Sequence, residues 1–202
     1  MEGTVAGMGA TDASRPLESE AMRPDAGTMP GITIRAERDG DAAAIRAVND
    51  AAFDGPVESR IVDGIRGTDR WIDGGSLVAE TANGELVGHL LLSVGDLDGP
   101  DGNVTPVWMV GPVAVLPAWQ RRGLGGDLMR AAIALATERG QPVLCLLGHA
   151  DYYPRFGFVP ARSLGIAPPR PWADANWMAL PLPAWREGLT GVARFAPSFP
   201  ED

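Results

Sequence analysis

Residues Ala118 to Met129 read AWQRRGLGGDLM, two arginines and three glycines set between an apolar run and a helical pattern. The order strand, glycine loop, helix leaves unpaired backbone N–H groups at a helix N-terminus, where the aligned peptide dipoles add roughly half a positive charge. An anion fits there, a phosphate above all. Gly123, Gly125 and Gly126 let a ligand approach the main chain without meeting a Cβ, and Arg121 and Arg122 put mobile positive charge beside it. A tight turn followed by close helix packing accounts for the glycines taken alone just as well. Spacing removes two kinds of phosphate loop. A Walker loop needs Lys and then Ser or Thr after its last glycine, where this chain has Asp127 and Leu128. A dinucleotide fingerprint needs its third glycine where Leu128 stands.

The remaining reactive side chains are few. Cys145 is the one cysteine and lies inside the apolar run PVLCLL, where a thiol acts as a small buried hydrophobe. His89 falls within a strand pattern and reads as a hydrogen-bonded core histidine, whereas His149 ends the strand after the loop helix and is placed to face a site. Neither histidine has a companion at ligand spacing, so no metal site is expected.

The elements that must hold the loop follow from periodicity. ITIRAE alternates as a strand, and DGDAAAIRAVNDAAF follows as a helix that Asp39 or Asp41 would cap. PVESRIVDGIRG is a second helix, with Val57, Ile61 and Ile65 on one face and Gly67 in place to stop it. SLVAETANGELVGHLLLSV reads as a hairpin turning at Asn83-Gly84, residues that tolerate positive φ. VWMVGPVAVLP is a strand whose Pro112 cannot donate to a ladder, so an edge or a bulge is expected there. After the glycine loop, Leu124, Leu128, Ala131 and Leu135 with Ala132 and Ala136 recur at helical steps, and Gly140 and Pro142 end the run. PVLCLLG is a buried strand, DYYPRFGFVPA one helical turn leading into another, and NWMALPL a late strand in a region rich in Pro and Trp.

A chain of 202 residues holds one core of ordinary size. Residues 1–30, rich in Gly, Ala, Pro and small polar residues, show neither apolar period and are expected to form a disordered tail ahead of one domain over 31–202. The formal net charge of −9 argues against nucleic acid as a partner and gives weak support to a cationic one. No apolar run reaches the ~20 residues of a membrane span, and the N-terminus lacks a secretory layout, so the cytoplasm is the default compartment.

Gln120-Arg121-Arg122-Gly123-Leu124-Gly125 matches the Q/R-x-x-G-x-G/A signature of the GNAT superfamily of N-acetyltransferases. GPVAVLPAWQRRGLGGDLM as a whole, and DYYPRFGFVP after the next strand, stand in that family's order and spacing. The chain resembles the YhbS-like branch in particular, over about residues 32 to 200, including GHLLLSV and the terminal GLTGVARF. The resemblance implies the GNAT α/β fold, a mixed twisted sheet flanked by helices, and transfer of acetyl from acetyl-CoA to a primary amine by direct attack, without a metal.

It also implies roles. The strand before the loop splays from the next, and Val113, Ala114 and Val115 match the stretch that pairs with the pantetheine arm. The CoA pyrophosphate is then expected over the N–H groups of Arg121 to Gly126, with Gln120 and Leu124 in the same loop. Tyr153, four residues before Gly157-Phe158, matches the tyrosine near the thioester sulfur. A phenol with a pKa near 10 is protonated at neutral pH and can give its proton to the departing thiolate, or hold the sulfur by a hydrogen bond alone. Glu58 starts the helix that borders the acceptor site in this fold, as the base for the amine or as an exposed first-turn carboxylate favoured by the helix dipole. The resemblance leaves open a homodimer, a longer acyl donor, the identity of the amine, and a catalytically idle module that only senses acyl-CoA.

Overall fold

The computed structural model describes residues 29–197. The expectation of a disordered tail over residues 1–30 falls, up to residue 28, outside the described residues. The chain runs β1 (Ile32–Ala36), α1 (Ala42–Phe53), α2 (Val57–Ile65), β2 (Trp71–Thr81), β3 (Leu86–Asp98), β4 (Val104–Val115), α3 (Leu124–Glu138), β5 (Val143–Leu147), β6 (Val159–Pro160), β7 (Ile166–Ala167), β8 (Trp177–Pro181) and β9 (Gly191–Arg194). One sheet takes all nine strands, in the order β1-β2-β3-β4-β5-β8-β6, with β9 on β3 and β7 on β9. It is mixed: β4 and β5 run parallel, joined through α3, while β1 to β4 form an antiparallel meander. This is the GNAT architecture that the sequence resemblance implies.

Alternation along the strands decides which helix covers which face. Ala79, Leu90, Leu92 and Val113 pack with Leu124, Leu128, Met129, Ala132 and Ala136 of α3. Their neighbours Val78, Leu91 and Ala114 pack on the other face with Ile45 and Val48 of α1 and Ile61, Val62 and Ile65 of α2. Burial on both faces is why these strands read as continuous apolar runs. A third cluster joins Leu97, Met109, Cys145 and Trp177 to Ala193, under the C-terminal segment.

Asp41 stands at the N-cap of α1, but its carboxylate does not cap the helix. It accepts from Arg35 at 2.6 Å and from the Arg38 N–H at 2.8 Å, so its oxygens are engaged on the side away from the helix. The hairpin turns where expected, yet only Gly84 takes a positive φ (83°), because the loop closes with Gly84 N–H on the Thr81 carbonyl and Thr81 N–H on that of Glu85. Pro112 lies in a bulge: Leu90 pairs with Val113 and Leu92 with Val110, so Leu91 faces two residues, Gly111 and Pro112. Among the described residues, no helix is long and apolar enough to cross a membrane.

Candidate active site

The bulge sets the geometry. β4 pairs with β5 only at Trp108 and Met109, and past the bulge the two strands pair no further, so the end of β4 from Val110 to Val115 has β3 on one edge and a gap on the other. Two cavities use that gap. The larger, about 1090 Å³, runs from Val113 and Val115 past Trp119 and Gln120 to the glycine loop. The smaller, about 630 Å³, lies on the other side, between Pro112 and Glu58 and the C-terminal segment. Phe53, Val113, His149 and Tyr153 line both.

The glycine loop has the shape its composition called for. Gly123 is the left-handed residue before α3 (φ 95°), and Arg121 also takes a positive φ (59°). Leu124 and Gly125, the first helical residues, have no carbonyl one turn upstream in the helix. The Gly126 and Asp127 N–H groups already donate to the Gly123 carbonyl, at 2.8 and 3.1 Å. A Cβ at Gly125 would stand 3.1 Å from the Tyr152 hydroxyl, and one at Gly126 3.4 Å from the Arg130 guanidinium. The bare backbone is therefore what keeps this end of the cavity open. Gly123, Gly125, Gly126, Leu124 and Arg121 line the cavity. Cations and glycine backbone together fit a diphosphate, and the volume is generous for a ligand larger than ordinary drug-sized molecules.

Three of the sequence-selected residues sit differently from their neighbours. Ala114 turns its side chain into the core against α1 and α2, so only its backbone can meet a ligand in the gap. Arg122 lies outside the cavity lining, its guanidinium 5.5 Å from the centroid of Trp119. Gln120 lines the cavity, but its side-chain amide donates to the Val115 carbonyl at 3.0 Å and so ties the loop to the end of β4.

Tyr153 opens a short 3-10 turn, Tyr153–Phe156, that Gly157 ends with φ 91°. Its ring meets Phe158 edge-on at 5.8 Å and lies against Gly148, where a Cβ would collide with it. Burial pushes its phenol up to about 12, with Tyr152 adding to the rise, so the hydroxyl is protonated throughout the physiological range. Glu58, half-buried in the first turn of α2, lines the smaller cavity with His149.

His89 is the core histidine expected. It is fully buried, with Asn49 Nδ2 3.0 Å from Nδ1 and Ser76 Oγ 3.1 Å from Nε2. Ser76 Oγ donates to Glu37 at 2.5 Å, so its oxygen accepts from an Nε2–H and the ring is neutral. Burial, aided by the Arg66 charge, pushes its pKa down to about 3. Cys145 is buried as read, its thiol pushed up to about 12 by burial.

Arg130 and Arg155 also line the larger cavity. Arg130 stands four residues after Gly126, a helical step that puts both on one face, so its position was visible in the spacing. It also pairs with the buried Asp127, which accepts the Met29 N–H at 3.3 Å. Nothing local marks Arg155, whose guanidinium rests over Tyr152 at 4.5 Å. Trp172 and Phe195 of the smaller cavity come from segments that the pairing of β9 with β3 and β7 brings together.

The family model for the GNAT acetyltransferase domain matches residues 33–161. The chain is 33% identical over 177 residues to the uncharacterized N-acetyltransferase YjhQ of Escherichia coli, covering 84% of this chain and 94% of that one. A GNAT acetyltransferase from Brucella melitensis, solved in complex with acetyl-CoA, is 32% identical with a TM-score of 0.69, covering 84% of this chain and 98% of that one. YhbS of Escherichia coli, solved with CoA, is 25% identical with a TM-score of 0.73, covering 86% and 95%. The chain belongs to the GNAT acetyltransferase family and is by class an acetyl-CoA-dependent acyltransferase.

Proposed function

We propose that this protein transfers acetyl from acetyl-CoA to a primary amine by direct attack, with Tyr153 and Glu58 moving the protons. One observation carries the reading: two cavities of different chemistry meet at Tyr153, one walled by glycine backbone and arginines, the other holding Glu58. Complexes of the Brucella relative with acetyl-CoA and of YhbS with CoA support assigning the first cavity to the thioester.

Acetyl-CoA supplies an acetyl group activated as a thioester. Arg121, Arg130 and Arg155 line the cavity that would take its phosphates, and Val113 and Val115 line the gap along which its arm would run. Glu58 takes a proton from the ammonium group and passes it to solvent, leaving the free amine to attack the carbonyl carbon. As the N–C bond forms and the C–S bond breaks, Tyr153 gives its proton to the sulfur. The nitrogen loses a second proton as it becomes an amide, and this restores the phenol. No group on the protein is acylated.

Burial pushes the Tyr153 phenol up to about 12, so its proton is on the oxygen at neutral pH and within the cavity where the thiolate departs.

Thiol release across a panel of amines, with calorimetry of acetyl-CoA, tests this. Glu58→Gln is expected to lower kcat/KM by roughly 10²–10⁴-fold, the range for one positioned acid or base, with acetyl-CoA affinity unchanged. A loss below tenfold removes Glu58 as the base. Tight acetyl-CoA binding with no amine turned over makes the protein an acyl-CoA-binding module instead.

A further inference from the structure

The smaller cavity has a composition of its own. Its wall beyond Tyr153 is made of rings: Phe53 at the mouth, and Trp172 and Phe195 on the far side, with Pro112, Pro169 and Pro197 as further rigid surface. The far side is fixed in place. Trp172 and Phe195 each stand 5.8 Å from Trp177 and from each other, and Trp177 is fully buried with its Nε1–H donated to the Ile166 carbonyl at 3.1 Å. Two half-buried rings thus turn toward the cavity from an anchored third.

Apolar surface continues to the rim. Among the described residues five large hydrophobic side chains are exposed, and two of them, Phe53 (42%) and Leu147 (43%), line this cavity, while a third, Val57, adjoins Glu58. Exposed apolar side chains gathered at one cavity mouth are what a ligand's apolar body covers.

Charge is sparse and one-sided. Glu58 is the one carboxylate in the described lining, and Arg170 and Arg194 line it as well. Arg194 is engaged by Asp98 at 2.6 Å. A single ammonium is matched by Glu58, whereas a second one finds no further carboxylate in the described lining. The volume, about 630 Å³, is that of a small-molecule site.

We propose that the acceptor is a small monoamine carried on an apolar, ring-bearing body, an arylalkylamine in chemical class. This rests on the acetyltransferase reading above. Polyamines and aminoglycosides are disfavoured by the single carboxylate and the ring wall. The acidic overall balance of the chain, which pointed weakly to a cationic partner, is not repeated in this cavity. Ring-on-ring packing adds a preference of a few-fold to about tenfold over an aliphatic body of equal area.

The test compares kcat/KM for 2-phenylethylamine and tryptamine with that for spermidine, kanamycin, ethanolamine and a hexapeptide with an N-terminal phenylalanine. The arylalkylamines are expected to exceed each of the others by at least tenfold. Leu147→Ser, at an exposed position that lines only the acceptor cavity, is expected to raise KM for the arylalkylamines at least threefold while the acetyl-CoA Kd stays constant. Equal or better turnover of spermidine, kanamycin, ethanolamine or the peptide overturns the inference and leaves the acetyltransferase intact. So does a Leu147→Ser variant whose KM for 2-phenylethylamine matches the parent. Absence of thiol release with every amine overturns the acetyltransferase reading, and this inference with it.

Discussion

Tyr152 and Tyr153 are neighbours in the chain, yet their rings stand edge to face, with centroids 5.1 Å apart and planes at 89°. The turn thus sends two phenols to different places. The Tyr152 hydroxyl lies beside Gly125, at the loop end of the larger cavity, while Tyr153 lines both cavities where they meet. Of the two, only Tyr153 stands where the two cavities of the proposed reaction meet.

Removing the hydroxyl alone separates the two. Tyr153→Phe keeps the contacts with Phe158 and Gly148, so acetyl-CoA affinity and Tm are expected to hold while the acetyl-transfer rate falls roughly 10²–10⁴-fold. Tyr152→Phe is expected to lower the rate much less. Equal losses in both variants would mean that the turn's packing matters and the proton does not. An unchanged rate in Tyr153→Phe would leave water as the proton source.

Gly125 offers a test in which stability and binding diverge. Its φ is not positive, so a side chain is sterically allowed in the helix, and Gly→Ala inside a helix is worth up to about 1 kcal/mol of stability. The added Cβ meets only the end of the Tyr152 side chain, at 3.1 Å, and Val115 at 3.8 Å. Gly125→Ala is expected to melt no lower than the parent, and Gly125→Val to weaken acetyl-CoA by well over tenfold in calorimetry, with Ala between. Unchanged affinity in a folded Val variant would move the diphosphate off this loop.

The parts legible in the sequence are those set by short-range spacing. The helix from Leu124 declares itself through apolar steps of three and four, and Pro112 announces a bulge because a missing N–H cannot be hidden in a ladder. The glycine loop carries its own geometry in Gly123. What long-range pairing builds was not legible. β9 returns to β3 at Asp96 to Asp98, more than ninety residues upstream, and pairs with β7 as well, which brings Phe195 to Trp172. Asp41, which local spacing offers as a cap, is drawn instead to Arg35, itself held by Glu80 across the sheet at 2.7 Å. Alternation could have turned Ala114 inward, since Val113 and Val115 on either side face the cavity.

His89 makes stability depend on pH in a window of its own. Its folded pKa, about 3, lies below the ordinary 6.5, so between these values the unfolded chain takes up a proton that the folded one does not. Stability from this group is therefore full above pH 6.5 and is lost as pH falls toward 3, at about 1.4 kcal/mol per pH unit for one proton. The hydrogen bonds of the neutral ring to Asn49 and Ser76 are what the extra proton would disturb. Asp41 and Glu80, held low by hydrogen bonds from Arg35, lose stability in the same direction but only as pH falls through and below their ordinary values of 3.8 and 4.5. Urea unfolding between pH 7 and pH 5 thus isolates the histidine from them. His89→Gln is expected to lower stability at pH 7, since a buried network is disturbed, and also to flatten the decline between pH 6.5 and 5 by about one proton's worth of slope. A variant whose stability falls in parallel with the parent over that range would show that His89 already carries its proton in the folded chain, and the neutral, Nε2-protonated ring assigned here would be wrong.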